Sequence, residues 1–388
     1  MKVLVATDCY VFNMGGVTAS VLALCTGLRR CGHEVKVLTL SNKHHSFRNG
    51  NDYYIQSFPA FYYPGMRISF ARQDPLLQEL KDWHPDIIHV QTEGSVYRFS
   101  LDIMRHCQIP LVMTCHTDYA YFVFGRFCTC LPVRAVMRTL GRWIYRPAAR
   151  VIAPSGKAAQ FPVLQPIHNC VTVIPNGMET EKYQARFSNE ERRAFRNSLG
   201  FDVSARVLVT VTRLSAEKNL QELISYFPEL IKENQNVKLL IVGDGPYRGR
   251  LERLTKKRKL QESILFTGRI PAEEVWRYFS AGDVFVSASR FEVHSMSYLE
   301  ALANGLPLLC RSDDALEGVL EHGKNGFVYH SQEEFTTFAL RLLCNDVLRS
   351  SMALCSAQKA DDFSCDAFAA AVLRVYEDAI RGNADAYR

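Results

Sequence analysis

Nine consecutive residues, Glu292-Val293-His294-Ser295-Met296-Ser297-Tyr298-Leu299-Glu300, place two carboxylates eight positions apart. The apolar run Val284–Ser287 precedes them and Pro307–Cys310 follows, and both read as buried strands. A helix starting near Ser295 puts Glu300 in its second turn and leaves Glu292 in the loop. Eight residues at ~1.5 Å rise span at most ~12 Å, comparable to the distance from the sugar to the ribose of a nucleotide sugar. One carboxylate can then take hydroxyls at each end of such a ligand, with the amides around Ser295 and Met296 on a diphosphate between them.

Further cations and glycines stand at other strand ends. Arg213 and Lys218 follow the run Ala205–Thr212, where two cations can converge on a diphosphate and hold the charge that develops as it leaves. Taken alone, the same pair also reads as solvated surface charge. Gly15 and Gly16 follow Lys2–Thr7 and let backbone amides approach a phosphate, or simply make a tight turn. Their spacing is not Gly-x-Gly-x-x-Gly, which counts against a nicotinamide or flavin dinucleotide. Gly268-Arg269-Ile270 and Gly243-Asp244-Gly245-Pro246 occupy equivalent positions, and His116 stands just after Pro110–Cys115, a place where a histidine alone reads as a satisfied core residue.

Positioning these groups takes many parallel strands. Candidate strands are 2–7, 34–40, 53–58, 86–90, 110–115, 150–154 and 172–175, then 205–212, 237–242, 264–267, 284–287, 307–310 and 327–329, with stretches of helical period between them. Several are apolar without alternation, as strands buried on both faces are. The pattern predicts an α/β protein of two doubly wound Rossmann-like domains facing across a cleft. The domains are 1–175 and 176–355, with a helical segment 356–388 packing back on the first. A length of 388 residues, 47 % hydrophobic and 22 % charged, fits this and excludes disordered, collagen-like and coiled-coil chains. The twelve cysteines are scattered, with no Cys-x-x-Cys, and read as buried reduced thiols. No apolar run reaches the ~18 residues of a membrane span, and Met1–Tyr10 lacks the features of a secretory signal, so a cytoplasmic location is expected.

The segment Phe291-Glu292 through Leu299-Glu300-Ala301-Leu302-Ala303-Asn304-Gly305-Leu306-Pro307 resembles the donor-site signature of the retaining, two-domain GT-B glycosyltransferases of family 4. The likeness extends along the chain in the family's order: Gly15-Gly16-Val17, Gly32-His33-Glu34-Val35, Pro85-Asp86-Ile87-Ile88-His89, His116-Thr117, Pro154-Ser155, Ile174-Pro175-Asn176-Gly177, then Arg213 with Lys218. The resemblance implies that Gly15 and Gly16 approach the donor diphosphate and that Arg213 and Lys218 bind it. It also implies that Glu292 contacts the donor sugar, Glu300 the ribose, and Arg269 and Ile270 lie beside the base. His294, Ser295 and Met296 would line the donor, and His116 would be the active-site histidine. Ser295 stands where many relatives carry glycine. The implied chemistry is transfer with retention; no Asp-x-Asp triplet occurs in the chain, which fits a site needing no metal and no other cofactor.

The likeness is greatest to bacterial transferases that glucosylate diacylglycerol, through residues 57–67, Gln91-Thr92-Glu93-Gly94-Ser95 and His116-Thr117-Asp118-Tyr119. That implies UDP-glucose as donor, a lipid acceptor and, at its polar end, Glu93 and Asp118. A physical feature supports a membrane. Residues 119–178 contain no Asp or Glu but seven basic residues, Arg126, Arg134, Arg138, Arg142, Arg146, Arg150 and Lys157, which account for more than the whole net charge of +6. Arg134, Arg138, Arg142 and Arg146 recur every fourth residue among Val136, Leu140, Trp143 and Tyr145, a pattern suited to a helix lying on an anionic lipid surface. A solvated helix with a buried apolar face has the same pattern. Nucleic acid is not expected as a partner. The reading is a hexosyltransferase associated peripherally with the inner face of the cell membrane; a family 4 enzyme with a soluble saccharide acceptor, or a catalytically silent nucleotide-sugar binder, are the alternatives.

Overall fold

The structure is a computed structural model and describes residues 1–10, 15–60, 66–124, 130–184, 187–202 and 204–386. The chain divides into two compact units, Met1–Met178 with Ser364–Arg388, and Glu179–Phe363.

The strands of the first unit are β1 (Lys2–Ala6), β2 (Glu34–Leu40), β3 (Phe47–Asn49), β4 (Asp52–Ile55), the short pair β5 (Phe58–Pro59) and β6 (Arg67–Ile68), then β7 (Ile87–Val90), β8 (Leu111–Thr114), β9 (Arg150–Ala153) and β10 (Val171–Val173). Among the described residues they form one sheet in the order β10-β9-β8-β7-β1-β2-β4-β3, parallel except for the pair β3/β4, with β5/β6 apart. The sequence pattern does not reveal β3. It is a short edge strand with exposed Arg48 and Asn49, too polar to announce itself. Strand β4 ends at Ile55, three residues before the expected end at residue 58.

β1 lies fully inside this sheet, and Val3, Leu4, Val5 and Ala6 are all buried. Helix Gly16–Arg30 packs over it, and helix Cys365–Ala386 in turn packs on that helix. Gly27 makes this possible, because a Cβ there would meet the carbonyl oxygen of Cys365 at 2.1 Å. Phe368, Val372 and Tyr376 join the core of the first unit, and the Tyr376 hydroxyl is 2.7 Å from Nδ1 of buried His89. Residues 356–363 belong with the second unit rather than with this helix, since helix Asp346–Ala360 carries Met352 into the second core.

The second unit has β11 (Arg206–Val211), β12 (Val237–Val242), β13 (Ile264–Gly268), β14 (Val284–Ser287), β15 (Leu308–Arg311) and β16 (Gly326–Tyr329), all parallel, in the order β13-β12-β11-β14-β15-β16. That order reverses direction between β11 and β14, and the first sheet reverses between β1 and β7. In open α/β sheets, ligands bind outside the carboxyl ends of the strands at these reversal points, because the loops there diverge to opposite faces and leave a crevice. A buried ion pair fixes the second unit beneath its sheet: Arg196 and Arg192 reach the Asp283 carboxylate at 2.9 and 2.8 Å.

Of the described cysteines, none forms a disulfide. Cys25, Cys107, Cys115, Cys310 and Cys365 are buried as expected, but Cys31, Cys130 and Cys344 are exposed at helix ends, where no core is available to cover them.

Candidate functional site

In the second unit, the loops after β11 and β14 meet at the reversal point. After β11 the chain makes a short turn, Ala216–Lys218, and ends it at Asn219, whose φ of 51° lies in the left-handed region that asparagine tolerates. The loop after β14 is tied to this turn: the Arg290 amide donates to the Glu217 carbonyl at 2.9 Å. The result is an ion pair between Lys218 Nζ and Glu292 Oε1 at 2.6 Å, with Glu292 only 8 % exposed. Arg213 stands exposed in the same loop. Gly243 and Gly245, after β12, pass so close to this loop that a Cβ would meet the carbonyl oxygens of Thr212 at 2.0 Å and Leu214 at 2.4 Å.

Helix Met296–Ala303 begins one residue after Ser295, whose side chain makes no capping hydrogen bond. Its second turn carries Glu300, as the spacing predicts. Glu300 Oε1 accepts from the Tyr183 hydroxyl at 2.9 Å. Burial raises its carboxyl to about 7, and the tyrosine bond opposes this only in part. His294 is buried against Phe363, and neither ring nitrogen has a hydrogen-bond partner among the described residues; burial lowers its pKa to about 4, so it is neutral at physiological pH. Met296 is buried, while Arg269 is exposed and Ile270 half-buried in the turn after β13.

The first unit builds its site from separate loops. Asp8, after β1, caps helix Ser95–Cys107 by accepting from the amides of Gly94 (3.1 Å), Ser95 (2.9 Å) and Val96 (3.2 Å) and from the Thr92 hydroxyl at 2.7 Å. Glycine is required at 94, because a Cβ there would lie 2.4 Å from the Asp8 carboxylate. Gln91 Oε1 is 2.8 Å from His116 Nε2. Glu93 accepts from Tyr145 at 2.6 Å and from Tyr119 through its other oxygen. Burial pushes both Asp8 and Glu93 above the usual carboxylate range. Asp118 accepts from the Tyr121 amide at 3.1 Å. Gly15 precedes helix Gly16–Arg30, and both glycines are exposed; residues 11–14 before them lie outside the described residues.

The basic stripe lies on helix Leu131–Tyr145. Met137, Gly141, Ile144 and Tyr145 face inward, and Gly141 lets the helix approach the Val163 carbonyl, which a Cβ would meet at 1.8 Å. Arg138, Arg142, Arg146 and Trp143 are exposed, Trp143 to 72 %, while Arg134 is half-buried and Arg138 also bonds Gln165 at 2.8 Å. Arg126 and residues 61–65 lie outside the described residues. No described helix is long and apolar enough to cross a membrane.

The sequence singled out Lys218 and Glu292 but not their pairing, and missed Tyr183, Asp8 and Gln91. Asp8 carried a signal, a carboxylate directly after the first strand. Tyr183 carried none; Gln91 stood in the segment Gln91–Ser95 that bears the resemblance, but nothing in it marked the pairing with His116.

Two Rossmann-like units, each with its loops gathered at a sheet reversal, have the GT-B architecture. Residues 14–182 match the model for Glycosyltransferase Family 4 and residues 191–353 that for Glycosyl transferases group 1. Both are glycosyltransferase models and together they span most of the chain, which is a glycosyltransferase. It is 29 % identical over 385 residues to the alpha-monoglucosyldiacylglycerol synthase of Streptococcus pneumoniae, covering 99 % of this chain and 87 % of that one. With the synthase of the same name from Acholeplasma laidlawii it shares 26 % over 396 residues, 99 % and 98 % of the two chains. A GDP-mannose-dependent alpha-mannosyltransferase of Corynebacterium glutamicum is 22 % identical over 389 residues, 98 % and 89 % of the two. Among solved structures, Anabaena HepE in complex with UDP and glucose superposes with a TM-score of 0.75 at 19 % identity, over 97 % of this chain and 99 % of that one.

Proposed function

We propose that this glycosyltransferase moves a hexose, glucose from UDP-glucose, to diacylglycerol or a closely related lipid at an anionic membrane surface. The near-full-length likeness to two monoglucosyldiacylglycerol synthases carries this reading. The exposed Arg138, Arg142, Arg146 and Trp143 on a helix without acidic residues support the membrane. The transfer retains configuration and uses no metal, and the chain works from the cytoplasmic side.

In this reading the residues of the second unit act on the donor. Lys218, with the exposed Arg213 of the same loop, binds the diphosphate and stabilises the charge on it as it leaves. The Lys218–Glu292 pair fixes the Glu292 carboxylate, which accepts hydroxyls of the transferred sugar. Glu300, with no cation in contact among the described residues, accepts hydroxyls of the ribose; two such bonds would offset the burial that now raises its pKa. Amides at the start of helix Met296–Ala303 lie where an anion is favoured. His116, held by Gln91, lines the transferred sugar, and the acceptor hydroxyl attacks on the face the nucleotide leaves.

Incubation with labelled UDP-glucose and diacylglycerol in anionic vesicles tests the reading, with label expected in the organic phase and unchanged by EDTA. Label in a water-soluble glycoside would favour a saccharide acceptor, and UDP binding without transfer a silent binder. The mannosyltransferase relative makes GDP-mannose the control donor, for which no transfer is expected.

A further inference from the structure

The first unit contains a cavity of about 560 Å³ that the reaction as described does not use. It follows one face of helix Ser95–Cys107: Ser95, Arg98, Leu101, Asp102 and Arg105 line it at spacings of three and four. From Ser95 to Arg105 the helix rises ~15 Å, which sets the length of the cavity. At the amino-terminal end of that face the lining is Asp8, Glu93 and Gly94. Trp143, Ile144 and Pro147, from the end of the exposed basic helix, also line it, and the two helices are joined by the Tyr97 hydroxyl donating to the Ile144 carbonyl at 2.5 Å.

The charges in this lining are largely spent. Asp8 and Glu93 are occupied by the amides and tyrosine hydroxyls described above. Asp102 lies 3.7 Å from Arg72 and 3.5 Å from Arg105. Arg67 donates to the Ser57 hydroxyl and carbonyl at 2.6 and 2.7 Å. Arg98 alone among these arginines has no hydrogen bond or ion pair with the described residues, and it is exposed. The remaining surface, Ile68, Leu101, Ile144 and Trp143, is apolar. Such a cavity suits an uncharged amphiphile: a hydroxyl end among hydrogen-bonded polar groups, ester carbonyls for one free guanidinium, and hydrocarbon for the apolar wall. Its polar end is also adjoined to the candidate active site by chain, since Gln91, two residues before Glu93, bonds His116.

We propose that this cavity receives the glyceride acceptor, with the free hydroxyl toward Gln91–Glu93, an ester carbonyl on Arg98 and the acyl chains leaving past Trp143. This rests on the glycolipid reading above. The test uses the full chain with UDP-glucose and dioleoylglycerol in phosphatidylglycerol vesicles, comparing wild type with Leu101→Trp, which fills the cavity, and Arg98→Ala, an exposed change that spares the fold. The acceptor KM is expected to rise at least tenfold for Leu101→Trp and about threefold for Arg98→Ala, while UDP affinity by calorimetry and co-sedimentation with vesicles stay at wild-type values. Unchanged acceptor KM in both variants, with wild type glucosylating the lipid, overturns the cavity assignment alone. A wild type that transfers only to water-soluble acceptors overturns the glycolipid reading and this assignment together.

Discussion

The two sheet reversals use carboxylates in opposite ways. At the second, Glu292 is held by a cation and Glu300 by a single tyrosine, so both keep lone pairs for a ligand. At the first, Asp8 and Glu93 are consumed by the protein itself, one capping a helix and the other joining two tyrosines. Equivalent topology therefore leaves carboxylate oxygens open in one unit and ties them to protein donors in the other. Carboxylates of the first kind should be needed for rate and those of the second kind for stability.

The largest expected effect is on rate in the second unit. Glu292→Ala and Lys218→Ala should each lower kcat/KM for the nucleotide sugar by roughly 10²–10³-fold, the scale of losing one preorganised charge contact; Glu292→Ala should keep a near-normal melting temperature, whereas Lys218→Ala should also lower it by leaving the buried Glu292 carboxylate unpaired. A variant that melts early but turns over normally would erase the distinction between the units.

Next comes a test of opposite sign within stability. The pKa of Glu300, about 7 in the folded state, lies above its unfolded value of about 4.3, so the ionised carboxylate opposes folding. That penalty is complete above pH 7 and fades as pH falls toward 4. Glu300→Gln should thus stabilise the protein at pH 8 by on the order of 2–3 kcal/mol in urea unfolding, with no gain at pH 4, while weakening binding of the nucleotide. Stabilisation equal at both pH values would sink the burial argument.

In the first unit, Asp8→Ala should cost about 1–2 kcal/mol by loss of the cap on helix Ser95–Cys107, read as a fall in the urea midpoint of the first unit. Tyr145→Phe should cost about 1 kcal/mol, one hydrogen bond to Glu93, with kcat reduced less than in Lys218→Ala. The smallest effect on the fold is expected from Arg138→Glu with Arg142→Glu: unchanged melting, but at least tenfold weaker binding to anionic vesicles, not restored by removing salt.

Much of the second site was legible because it is local. The Glu292–Glu300 spacing lies on one loop and one helix, so sequence distance translates directly into space, and the cations stand one strand end away. The first site was legible only as isolated residues. His116 was identifiable, yet its partner Gln91 comes from another strand, and Glu93 meets Tyr145 across 52 positions. The basic helix was visible by its four-residue period, while its depth of contact depends on Gly141, an unremarkable residue in the sequence that admits the Val163 backbone.

By itself the sequence determined the fold class, the strands buried on both faces, the two strand-end cations and the eight-residue carboxylate spacing, because all depend on short-range periodicity. Only the tertiary structure decided which carboxylates remain available to a ligand. That is settled by which donors from distant loops reach each oxygen first, and by how far burial raises the cost of its charge.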